Sequence, residues 1–188
     1  MLMPLGEFSL SEREELKSIA LSALKTAVLD TNPLSLSGVS SRLMLQGACF
    51  VTLLKNKQLR GCIGTLEAYR PLAEDVAHNS YNAAMRDPRF PAVMSSELND
   101  LELSISVLTK PEEIKVDSEG QLLKAISQGV DGVILQDGSH RATYLPSVWE
   151  QLPDAVDFIR ELKCKAGLPS GYWSDSMRCF TYQSVCIK

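Results

Sequence analysis

Gly61 and Gly64 bracket a cysteine, Cys62, within LRGCIGT (Leu59–Thr65), and this run constrains the chain more tightly than any other. Glycine inside a strand loses packing and conformational entropy. It is kept where a bulge or a close backbone approach demands it, here as access to the sulfur between the two glycines. Ala48 to Leu54 has the pattern of a half-buried strand, Lys55 to Gln58 connects, and Leu59 to Leu66 returns. Two or four connecting residues preserve the same parity. Side chains alternate along a strand, so Arg60, Cys62 and Gly64 are expected on one face and Leu59, Gly61, Ile63, Thr65 and Glu67 on the other. The same register places Cys49 on the Cys62 face, near Gly64.

A helix follows from Pro71, with Leu72, Ala73, Val76, Ser80, Ala83 and Ala84 facing inward. His78 falls about 200° from Val76, at about 100° per residue, and is expected in solvent. The helix stops at Asp87-Pro88, because the residue before proline disfavours α geometry. Arg86, Asp87 and Arg89 then surround a tight turn. Two guanidiniums there could grip a carboxylate or phosphate; equally, Asp87 could pair with Arg89 and hold the turn.

Six segments together carry a family likeness: LRGCIGT (Leu59–Thr65), RDPRFP (Arg86–Pro91), LELSISVLTKP (Leu101–Pro111), GVDGVIL (Gly129–Leu135), ATYLPSVWEQLPD (Ala142–Asp154) and LKCKAGLP (Leu162–Pro169). In this order, over roughly residues 12–185, the chain resembles the AMMECR domain family, known in prokaryotes as AmmeMemoRadiSam system protein A. The resemblance implies an α+β domain with a cleft near the RGCIG strand. It also implies association with a Memo-like protein and a radical SAM protein. It supplies no reaction and no cofactor.

At 188 residues and 45% hydrophobic content, the chain suits one domain spanning 1–188, with a small lobe around 112–150 as a variant. A net charge of −4, with Lys and Arg dispersed, argues against a nucleic-acid footprint. No apolar run approaches a membrane span, and MLMPLGEFSLSEREEL has no signal-like h-region. Five cysteines without close pairing read as reduced cytoplasmic thiols. With two histidines in the chain, no zinc site is expected. GCIG is not a P-loop, no G-x-G-x-x-G is present, and no nucleophile elbow surrounds Ser40 or Ser41.

Elsewhere, Ser11 and Glu14 form a capping box opening an amphipathic helix through Leu16, Ile19, Ala20, Ala23, Leu24, Ala27 and Val28, ending before Asn32-Pro33. Leu34 to Leu43 is Ser-rich and reads as a loop or a short edge segment. Leu101 to Thr109 alternates, Leu101, Leu103, Ile105 and Val107 against Glu102, Ser104 and Ser106. The polar side meets solvent or lines the cleft, with Glu102 its one acid. Ser118 caps a helix over Glu119 to Gln128. Asp137-Gly138 reads as a two-residue hairpin turn with His140 beside it, opposite Leu135. Pro146 and Pro153 each suit a helix start, the second helix ending at Gly167. Arg178 to Ile187 closes the sheet, which is mixed or antiparallel and flanked by the Ser11, Pro71 and Pro153 helices.

Cys62 is the sharpest chemical candidate. A thiolate is nucleophilic and metal-binding, and Arg60 on the same face would favour it. The bland alternative is a small packed hydrophobe. Neither histidine is placed to complete a Cys-His-acid triad. Around Cys62 the expected binding residues are Arg60, Thr65, Glu67, Arg86, Asp87, Arg89 and Glu102. Lys165 joins them through the family's KAG element, although a cation in the last turn of a helix is also explained by the helix dipole. Cys164, Cys179 and Cys186 read as structural. Two functions stay open: an enzyme or binder of a small anion, and a partner or adaptor protein.

Overall fold

The computed structural model describes residues 8–30 and 35–188. In chain order its elements are α1 (Leu10–Leu29), β1 (Gln46–Gly47), β2 (Cys49–Lys55), β3 (Gln58–Gly64), β4 (Arg70–Pro71), α2 (Leu72–Met85), β5 (Leu101–Leu108), β6 (Glu112–Ile114), α3 (Glu119–Ala125), β7 (Gly132–Asp137), β8 (His140–Tyr144), α4 (Ala155–Lys165), β9 (Arg178–Tyr182) and β10 (Ser184–Ile187). Helices packed on antiparallel sheets make this an α+β chain. It forms two compact units, one running to Thr109 and including Val185–Lys188, the other Lys110–Ser184.

The first unit contains a four-stranded sheet in the order β10-β5-β2-β3, with β1 and β4 pairing separately. Alternation in β2 and β5 turns Cys49, Val51, Leu53, Ile105 and Val107 to one face. There they join Leu16, Leu24, Leu72 and Val76 from α1 and α2 in a continuous core. Gly61 allows this layer to close: a Cβ built on it would lie 2.2 Å from the Ala83 carbonyl oxygen of α2. Gly64 makes room for the Phe50 ring, which would stand 2.1 Å from an added Cβ. The two glycines therefore serve packing rather than access to the sulfur.

Several expectations shift. The capping box of α1 is Ser9 with Glu12, Ser9 N–H donating to Glu12 Oε2 at 2.8 Å and Glu12 N–H to Ser9 Oγ at 3.2 Å. The helix starts before Ser11, which lies inside its first turn. Asn32, Pro33 and Leu34, the expected helix stop and the start of the Ser-rich connection, lie outside the described residues. The β2–β3 turn is the two-residue Asn56-Lys57, both at positive φ (52° and 62°). A one-residue irregularity between Leu53 and Leu54 leaves Arg60 as the extra residue, so Cys62 stands opposite Thr52 and Gly64 opposite Phe50. Cys49 thus leaves the Cys62 face, because a one-residue shift exchanges the faces of a strand.

The second unit has its own sheet, ordered β6-β9-β7-β8, and its own core around Leu122, Val133, Leu135, Trp149, Phe158 and Leu162. Trp149 stacks on Phe158 with centroids 3.8 Å apart, and its indole N–H donates to the Asp131 carbonyl at 2.7 Å. The predicted closing strand divides at Gln183: β9 belongs to this sheet and β10 to the first. The Pro153 helix is α4, capped by Asp154, and it belongs to this core rather than flanking the first sheet. Pro146 opens only a 3-10 turn (Pro146–Glu150), and α3 ends at Ala125, short of Gln128. The hairpin turn is Gly138-Ser139, so His140 pairs with Asp137 and Leu135 with Ala142. Asp137 stays in the strand, and its carboxylate accepts from Tyr172 (2.7 Å), Ser174 (2.6 Å) and Ser176 (2.7 Å) hydroxyls.

Candidate functional site

Directly opposed residues of antiparallel strands share a face. Thr52 is opposite both Cys62 on β3 and Ser104 on β5, so Ser104, Thr52 and Cys62 form one row across three strands, on the face away from the core. The Thr52 hydroxyl donates to Cys62 Sγ at 3.3 Å. Cys62 is half-buried.

The turn after α2 is fastened to this row by Asp87, itself only 4% exposed. Its Oδ2 accepts the Cys62 backbone N–H at 2.8 Å, and its Oδ1 accepts the Arg89 backbone N–H at 3.1 Å. The Arg89 guanidinium closes the arrangement, donating through Nε and Nη2 to Asp87 at 2.9 and 2.6 Å and through Nη2 to the Cys62 carbonyl at 3.1 Å. The Arg89 hydrogen bonds, ahead of the Cys62 N–H, hold the Asp87 carboxyl down at about 2. Arg89 is raised in turn, chiefly by Asp87 and to a smaller extent by the Cys62 side chain. Its side chain remains 50% exposed.

Arg60 does not serve Cys62. Its guanidinium is committed to Glu97, Nε and Nη2 donating at 3.1 and 3.0 Å, and to the carbonyls of Pro91 (3.0 Å) and Ala92 (3.3 Å). Lys55 also binds Glu97 at 3.0 Å, and Arg60 first, then the Met94 N–H, hold the Glu97 carboxyl at about 2. The guanidinium that reaches Cys62 is Arg89's. Arg60 and Glu97 instead hold the loop after the turn against β3.

Thr65 belongs to a different group, on the core side. Its hydroxyl donates to Asp75 Oδ1 at 2.9 Å, and Asp75 also accepts from the Cys49 N–H (3.0 Å) and Asn79 Nδ2 (3.0 Å). Arg70 Nε lies 3.3 Å from Asp75 Oδ1, an ion pair misaligned for a hydrogen bond. Burial, the largest influence, raises Asp75 above the ordinary carboxylate value; it also pushes the Cys49 thiol well up. Asp75 and Asn79 interrupt the apolar stripe of α2 at i, i+4, a signal the sequence carried and the inward-face reading passed over. Thr52 and Glu97 were also missed. The bulge hid the first, and nothing local marks the second.

The remaining expected residues scatter. Arg86 is exposed, 5.3 Å from the Tyr81 ring centroid. Glu67 is exposed. Glu102 lies opposite Leu54 and lines a groove of about 410 Å3 with Lys17, Leu21, Leu103, Ser104 and Lys188. Lys165 belongs to the second unit, where its ammonium donates to the Thr143 carbonyl at 2.9 Å and lies 4.9 Å from the Tyr144 ring centroid. That hydrogen bond goes to a neighbouring strand, β8. Of the histidines, His78 is exposed on α2, and His140 Nδ1 lies 2.9 Å from the Ala166 carbonyl oxygen. Among the described residues no group of three His, Cys, Asp or Glu side chains is placed to hold a metal. None of their helices is long and apolar enough to cross a membrane.

The fold and this stapled strand-and-turn site define an α+β protein built around an RGCIG strand. Residues 17–187 match the AMMECR1 family model, and the chain belongs to that family. It is 39% identical over 137 residues to a protein of Methanothermobacter thermautotrophicus, covering 72% of this chain and 71% of the relative. It is 36% identical over 178 residues to a protein of Sulfolobus acidocaldarius, covering 92% and 72%. The crystal structure of an uncharacterised protein from Pyrococcus horikoshii superposes with a TM-score of 0.87 at 28% identity, over 94% of this chain and 90% of that one.

Proposed function

We propose that the chain binds a small anionic ligand on the outer face of the first sheet, in a cleft centred on Cys62. Arg89 is the recognition group. The carrying observation is that its half-exposed guanidinium is oriented by Asp87 and by the Cys62 carbonyl, beside the Thr52 hydroxyl and the Cys62 thiol. A planar donor whose rotamer is already paid for loses little entropy on meeting a carboxylate or phosphate oxygen. Binding is favoured over nucleophilic catalysis, because among the described residues no histidine bonds the thiol, and Asp87, the carboxylate that binds the Cys62 N–H, is occupied by backbone and arginine donors. The five free thiols support work in the cytoplasm.

Isothermal titration with inorganic phosphate and with succinate tests this. Saturable binding by the intact chain, abolished in Arg89→Gln and kept in Arg86→Gln, is expected. An equal response in Arg89→Gln would refute it.

A second reading has its own support. Arg60, Asp87 and Arg89 spend most of their bonds fastening the RDPRFP turn and its following loop to β3, which suits a fixed docking surface for the Memo-like and radical SAM partners suggested by the family. Pull-down of those partners, unaffected by Cys62→Ala, would favour this adaptor role.

A further inference from the structure

Arg60, Arg89 and Arg70 spend their donors differently. Arg60 is committed to Glu97 and two loop carbonyls, and Arg89 to Asp87 and the Cys62 carbonyl. Arg70 is not committed in this way. Its side chain is only 19% exposed, yet among the described residues its guanidinium makes no hydrogen bond, and its Nε is buried without a partner. A buried donor left unbonded is costly and rare in folded proteins, so one that persists calls for a reason. The ion pair with Asp75 does not supply it, because Oδ1 already accepts from Thr65 and meets Nε off line.

The group is also held in place. Arg70 pairs with Gly47 in the β1–β4 ladder, one residue before Pro71, the N-cap of α2. Its Cζ lies 4.4 Å from the centroid of the Tyr69 ring, and Tyr69 is 59% exposed. Asp75, its ion-pair partner, is wholly buried and fixed by the Cys49 N–H, Thr65 and Asn79. A guanidinium set against a ring and a fixed carboxylate has lost much of its rotamer freedom before any ligand arrives. We propose that Arg70 binds the carboxylate of a small organic acid, its two terminal nitrogens donating to the two oxygens while the Tyr69 ring packs against the ligand's apolar body. Asp75 already sets one negative charge against the guanidinium, so a single further charge suits the site better than a dianion. The ligand needs no group of the Cys62 face.

The probe is benzoate, titrated into the 15N-labelled full chain while the Arg70 Nε and Tyr69 backbone amide resonances are followed. Saturable shifts of both are expected, with an affinity at least tenfold above that for formate, which has no apolar body, and for inorganic phosphate. Arg89→Gln should leave them unchanged. Arg70→Lys keeps the charge and removes the fork, and should weaken benzoate at least tenfold at the Tyr69 amide. Tyr69→Ala, an exposed position whose exchange leaves the core intact, should weaken benzoate and not formate at the Arg70 resonance, so the site is tested even if the arginine variant fails to fold. Resonances that benzoate leaves unmoved, or benzoate binding that either variant keeps in full, would overturn the proposal. So would phosphate bound at these resonances as tightly as benzoate.

Discussion

Replacing Asp87 by Asn keeps the size and one acceptor oxygen but removes the charge that joins the RGCIG strand to the RDPRFP turn. A carboxyl lowered from 3.8 to about 2 corresponds to roughly 2.5 kcal/mol, at about 1.36 kcal/mol for each tenfold change in proton affinity. Its partner Arg89 is half exposed, and solvent screening reduces this to about 1–2 kcal/mol. Because the folded value lies below the unfolded one, the stabilisation is complete above the unfolded pKa of about 3.8. It is lost as pH falls through about 2. The variant should therefore lose about 1–2 kcal/mol near neutral pH, a fall in urea midpoint of roughly 0.5–1 M at an m value of about 2 kcal/mol/M, and the difference should vanish in acid. Glu97 titrates in both proteins and cancels. Both tryptophans, Trp149 and Trp173, lie in the second unit, so unfolding of the first is followed by labelling of buried Cys49. A loss that persists unchanged below about pH 2 would show that Asp87 acts by shape and neutral hydrogen bonds alone, and would refute the charge argument.

Other perturbations separate packing from chemistry. Gly61→Ala and Gly64→Ala should each cost about 1–3 kcal/mol in urea unfolding, since the first meets α2 backbone and the second the base of the Phe50 ring. Asn79→Ala should destabilise by about 1–3 kcal/mol, because Asp75, Thr65 and the Cys49 carbonyl each lose a donor; an unchanged midpoint would mean that water replaces it. In iodoacetamide mapping of the folded protein, Cys164 and Cys186 should react first and Cys62 next, with Cys49 and Cys179 protected. Burial raises both protected thiols, Cys179 to about 12. Labelling of Cys49 before Cys62 would contradict the face assignment of β2 and β3.

Much of this was readable from periodicity. The apolar stripes of α1 and α2, the β2–β3 hairpin, the alternation of β5 and the pairing of Asp87 with Arg89 all follow from local rules. The Cys62 surroundings do not, for one reason: a single extra residue at Arg60 shifts the ladder, bringing Thr52 opposite Cys62 and moving Cys49 to the core. A bulge leaves no mark in an alternating pattern, and two glycines next to it can be read as access as easily as packing. Arg60 stands two residues from Cys62, which points to a pair on one strand face, whereas its partner, Glu97, lies beyond the next helix and the turn after it. The division of the last strand between two sheets was equally hidden, since Arg178 to Ile187 alternates with only Gln183 to break it.

The central claim is that the Cys62 face receives an anion through Arg89, and the most direct test is a 15N-resolved NMR titration with inorganic phosphate and with succinate. Saturable shifts of the Arg89 Nε and Cys62 backbone amide resonances, lost in Arg89→Gln while the fold stays intact, are predicted. Shifts that never saturate, or that leave these two resonances untouched, would contradict it.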